Sequence, residues 1–88
     1  MTEQATWLDG NGVAGLMREV FGTEMSTALR VCAGCGDRNP LGACRAYVSA
    51  GVVLRCPNCS QLAVTVATLP DRHVVSLTGT WTLEVPRS

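Results

Sequence analysis

The chain has 88 residues, 47% hydrophobic and 16% charged, which makes it too apolar to be disordered. At this length a domain buries only about 60% of its unfolded surface, so a single domain over residues 1–88 that needs a staple is expected. Seven arginines and no lysine balance seven acidic residues, so the chain lacks the strong positive excess that marks most nucleic-acid binders. Apolar runs such as Val52-Val53-Leu54 fall far short of the roughly 20 residues of a membrane span. Met1–Thr6 shows no basic region leading into an apolar stretch. No membrane contact, no secretory leader and a cytoplasmic location are therefore the expectations.

The first expected element is a helix over 8–22. Val13, Leu16, Met17, Val20 and Phe21 recur at the spacing of one apolar stripe, with Arg18 and Glu19 on the other side. Asp9 is the predicted N-cap, Leu8 and Val13 occupy the staple positions, and Gly22 supplies a left-handed stop. Gly10, Gly12 and Gly15 weaken such a helix by up to about 1 kcal/mol each, which packing must offset.

After Met25 the period changes from helical to extended, and strands are predicted over most of 28–85. Ala28–Val31 leads into Cys32. Cys44–Ser49 and Val52–Cys56 flank a turn at Ser49-Ala50-Gly51. Leu62, Val64 and Val66 alternate with smaller residues, Pro70-Asp71 breaks the run, and His73–Leu77 follows. Thr78-Gly79 then turns the chain into a last strand with Trp81, Leu83 and Val85 on one side and Trp81 facing the core. The expected fold class is α+β: an N-terminal amphipathic helix followed by a zinc-ribbon antiparallel β meander.

Cys32-Ala-Gly-Cys35 and Cys56-Pro-Asn-Cys59, twenty residues apart, carry the strongest chemical signal. Paired C-x2-C turns aim four sulfurs at one ion, so Cys32, Cys35, Cys56 and Cys59 are the predicted ligands of one Zn2+ per chain. Four thiolates also accept iron, so spacing alone does not choose between the two metals. A filled tetrathiolate shell leaves no coordination position for water, and no catalytic or organic-cofactor site is predicted. The odd fifth cysteine, Cys44, reads as a buried inert thiol. His73, beside Arg72, reads as solvent-facing rather than as a catalytic base.

Leu8-Asp9-Gly10-Asn11, the helix ending Glu19-Val20-Phe21-Gly22, Cys32-Ala-Gly-Cys35-Gly36 and Arg55-Cys56-Pro-Asn-Cys59 together resemble a family of short, uncharacterised bacterial zinc-ribbon-like proteins. The resemblance covers most of the chain and implies a metal site without implying an activity. Such turns commonly carry Gly after the second cysteine. Gly36 fits this habit and Ser60 departs from it.

The function read from these residues is a non-enzymatic zinc-binding adaptor, its helix either packing on the sheet or docking onto a protein partner or second copy. No small-molecule substrate is implied. One alternative is a nucleic-acid-binding ribbon in transcription or translation, in which Arg30, Arg38, Arg45 and Arg55 line one face toward phosphates. Another is a redox-sensitive zinc and thiol switch, since a C-x-x-C thiol often has a lowered pKa.

Overall fold

The computed structural model describes residues 7–85 and 87. Met1–Thr6, read above for a leader, lies outside the described residues. The described chain is mostly antiparallel β structure in two sheets, which corrects the expected sequence of long helix and single ribbon meander. Five strands form the larger sheet in the order β1-β4-β5-β6-β7: Trp7–Asp9, Arg45–Val48, Val52–Arg55, Leu62–Thr68 and His73–Leu77. Three short strands form the smaller one in the order β3-β2-β8: Arg38–Pro40, Leu29–Val31 and Thr80–Thr82.

The N-terminal segment departs most from expectation, and its glycines and a strand pairing explain why. Trp7–Asp9 is extended and pairs with β4, Leu8 opposite Ala46, so the helix start predicted at Leu8 is taken up by the sheet. Gly10 then donates its amide to the Cys44 carbonyl at 2.7 Å, and a Cβ at this position would collide with the Leu41 carbonyl oxygen. Only glycine fits against that backbone. Gly10–Val13 instead makes a 3-10 turn in which Asp9 makes no side-chain cap hydrogen bond. The α-helix α1 is confined to Ala14–Phe21 and ends, as predicted, at a left-handed Gly22.

The helical stripe is consumed internally. Val13 and Met17 are buried, and Leu16, Val20 and Phe21 pack against the core. Beneath them lie Ala46, Val52, Leu54, Val64 and Val66, the inward residues of the larger sheet, with Met25, Ala28 and Leu41 completing the cluster. A bulge between Leu54 and Arg55 sets Leu62 opposite Arg55 and Val64 opposite Leu54, so Ala63 is the extra residue.

β4 to β7 form the hairpin series that alternation predicts, but the end of the chain does not continue it. Val85 and Leu83 are exposed beyond the end of β8, and β8 pairs with β2 rather than β7. Trp81 is half-buried against the core, as expected. Strands β1 and β3 carry no apolar alternation long enough to announce them.

The smaller sheet has a polar inner row. Asn39, Arg30 and Trp81 are register partners across β3, β2 and β8, and Arg30 is wholly buried. Its Nε donates to the Thr78 carbonyl at 3.0 Å, and Nη2 donates to the Leu62 carbonyl at 3.3 Å and the Thr78 hydroxyl at 3.4 Å. The guanidinium lies 5.9 Å from the Trp81 ring centroid, and the Trp81 indole donates to the same Thr78 carbonyl. This side chain ties the smaller sheet to the larger one.

Candidate metal centre

Each C-x2-C turn belongs to a different sheet. Cys32 and Cys35 lie between β2 and β3, while Cys56 and Cys59 lie between β5 and β6. The four sulfurs all fall within 4.8 Å of one another. Cys32 and Cys59 are separated by 3.6 Å and Cys35 and Cys56 by 3.8 Å. Thiolates about 2.3 Å from a tetrahedral ion sit roughly 3.8 Å apart, so the cluster has the dimensions of a metal site. Cys32 and Cys56 face the core, and Cys35 and Cys59 face solvent.

The two turns are built alike from unlike residues. The Gly36 amide donates to the Cys32 carbonyl and the Ser60 amide to the Cys56 carbonyl, both at 3.0 Å. The Gly34 and Asn58 amides point at the sulfurs of Cys32 and Cys56, both at 3.4 Å. Closing each turn requires a left-handed residue, at φ 75° for Gly36 and 68° for Ser60. Ser60 therefore takes the glycine conformation and carries the strain that Gly36 avoids.

Backbone amides favour negative sulfur here. The Cys35 amide leads in pulling the Cys32 thiol down to about 6. Burial opposes ionisation of Cys56, but the Cys59 and Asn58 amides outweigh it and lower its pKa. At Cys59 the Gln61 amide acts the same way, yet burial and the three other thiols prevail and hold it up at about 11. Four thiols this close ionise together only around a cation.

The cluster unites all four cysteines singled out by spacing and omits Cys44. The Cys44 thiol is wholly buried against Asn39 and Pro40, and burial pushes it up to about 11. His73 is exposed, with Nδ1 at 3.0 Å from the Thr68 hydroxyl. The four arginines do not share a face. Arg30 is buried, and Arg45 and Arg55 are register partners on the larger sheet, whereas Arg38 is on β3 of the smaller one. Sequence reasoning passed over Asn58, whose side-chain amide reaches across to the Cys35 sulfur at 3.4 Å. Its place inside the second C-x2-C was the only available signal.

Among the described residues no helix is long and apolar enough to cross a membrane. No curated protein and no solved structure matches the chain. A family model matches residues 2–88, and by that match the chain belongs to a family of unknown function, DUF6510.

Proposed function

We propose that the protein is a non-enzymatic binding module whose two sheets are clamped by one structural Zn2+ held by Cys32, Cys35, Cys56 and Cys59. The observation that carries this reading is the set of sulfur separations, 3.6 and 3.8 Å, between turns that belong to different sheets. Apparent binding free energies for structural zinc reach about 10 to 16 kcal/mol, comparable with the whole stability of a small domain. An ion at the junction therefore supplies the staple that an 88-residue chain needs.

Charge supports the same reading. Four thiolates and one divalent ion carry a formal charge of −2. Arg30 stands two residues before Cys32 in the same strand run, is fully buried, and has Nη1 without a hydrogen-bond partner. The one ion pair among the described residues is Arg72 with Asp71, so Arg30 has no carboxylate partner there. A tetrathiolate that begins two residues along the chain would supply charge of the opposite sign.

The adaptor role moves away from the helix, because its apolar stripe is already packed on the protein's own core. Binding falls to the sheet surfaces. Metal analysis by plasma mass spectrometry, paired with native mass spectrometry, tests the clamp. One zinc per chain supports it; a metal-free, fully folded protein overturns it, and stoichiometric iron corrects the metal.

A further inference from the structure

The outward face of the five-stranded sheet takes no part in the core. Trp7, Tyr47, Val53, Thr65 and Ser76 run across it in register, and side chains two residues apart share a face. Two residues along from Tyr47 and Val53 stand Arg45 and Arg55, themselves register partners. Trp7 is 40% exposed, and the Arg45 guanidinium lies 5.0 Å from its ring centroid. Asp9 is opposite Arg45 in register but makes no ion pair with it. Arg55 is steadied by a 2.9 Å hydrogen bond from Nη1 to the Ser60 carbonyl. Beyond Tyr47 the face opens into a shallow trough of about 370 Å³ bordered by Gly51, Val53, Thr65, Ala67 and Val74.

An aromatic pair beside an arginine pair on an open sheet suits an occupant with flat rings and regularly spaced anions. We propose that this face binds single-stranded nucleic acid. Bases stack on Trp7 and Tyr47 and extend toward the trough, and phosphates meet Arg45 and Arg55. Stacking tolerates any base, because every base has a π-face, and a guanidinium lying over an indole offers a second plane for it. An acidic peptide would satisfy the arginines but leave the rings unused. A duplex keeps its bases stacked inside and out of reach of Trp7. Two phosphate contacts predict a slope of log K against log salt of about −1.4, which suits a chain with no net positive charge.

The proposal rests on the clamped fold, since Arg55 adjoins Cys56. Its test therefore uses metal-replete full-length protein, with metal content and circular dichroism recorded for each variant. Fluorescence anisotropy of labelled 15-mers of oligo(dT) and oligo(rU) at low salt is expected to show saturable binding, with a matched duplex much weaker. Trp7→Ala should weaken binding about tenfold or more and Trp7→Phe much less. The double variant Arg45→Gln with Arg55→Gln should flatten the salt slope, and Arg72→Gln should change nothing. The proposal is overturned if neither oligonucleotide binds protein that is folded and metal-loaded, a result that leaves the clamp standing. It is equally overturned if the duplex binds as well, if poly-glutamate competes as well as oligo(dT), or if Arg72→Gln matches the double variant.

Discussion

The two sheets of this protein solve the same problem by different means. The larger sheet buries an apolar inner face of Ala46, Val52, Leu54, Val64 and Val66 under a helix and loops, as a self-sufficient antiparallel sheet does. The smaller sheet presents Asn39, Arg30 and Trp81 inward and offers little apolar area in strands of three residues each. It is held by attachments instead: the hydrogen bonds of Arg30 to Thr78 and Leu62, and a cysteine turn that meets its counterpart from the larger sheet. Where burial is scarce, directional bonds and the meeting of two cysteine turns take its place.

That contrast is most directly broken at the four-cysteine cluster, where the proposed clamp makes the largest prediction. Chelation at neutral pH, or Cys56→Ser, should strip hydrogen-exchange protection from β2, β3 and β8 first. The loss should approach the total stability of the domain, with about 10 kcal/mol of apparent binding energy at stake. Undiminished protection of both sheets in metal-free protein would contradict the clamp. Leu54→Ala, in the centre of the larger sheet, should cost about 3 to 4 kcal/mol in chemical denaturation, because the residue is wholly buried and its cavity cannot collapse freely.

Arg30→Met sharpens the comparison. It keeps an apolar stem but removes the Nε and Nη2 donors, leaving the Thr78 carbonyl to the Trp81 indole alone and the Leu62 carbonyl to the Thr78 hydroxyl, for an expected cost of about 2 kcal/mol. Exchange should rise in β2 and β8 while β5 and β6 stay protected, and a uniform rise would deny the latch. The smallest effect is expected at Ser60→Gly. Relieving the left-handed strain at φ 68° should raise the denaturation midpoint by the equivalent of up to about 1 kcal/mol, and a drop would mean that the serine side chain matters there.

The residues that were legible in advance share a local cause. The C-x2-C pairs announce a four-sulfur cluster because two intervening residues fix each turn, and the alternation of Leu62, Val64 and Val66 announces β6 because one face is buried. Gly22 ends the helix by its own backbone freedom. Leu8 and Asp9 belong to a strand and not to the predicted helix because their extended form depends on pairing with β4, 36 residues away at Arg45. The alternative that set Arg30 on an exposed face fails because nothing local says that acceptors wait for it at Leu62 of the larger sheet and at Thr78 in the turn before β8.

Taken alone, the amino-acid order determined which sulfurs belong together and where the hairpins of the larger sheet turn. The division into two sheets, the transfer of the last strand to the smaller one and the burial of Arg30 were decided only in three dimensions. So was the gathering of Trp7, Tyr47, Arg45 and Arg55 on one open face. The reason is physical: spacing along the chain governs turns and alternation, whereas strand partnership and desolvation depend on segments that meet only after the chain has folded.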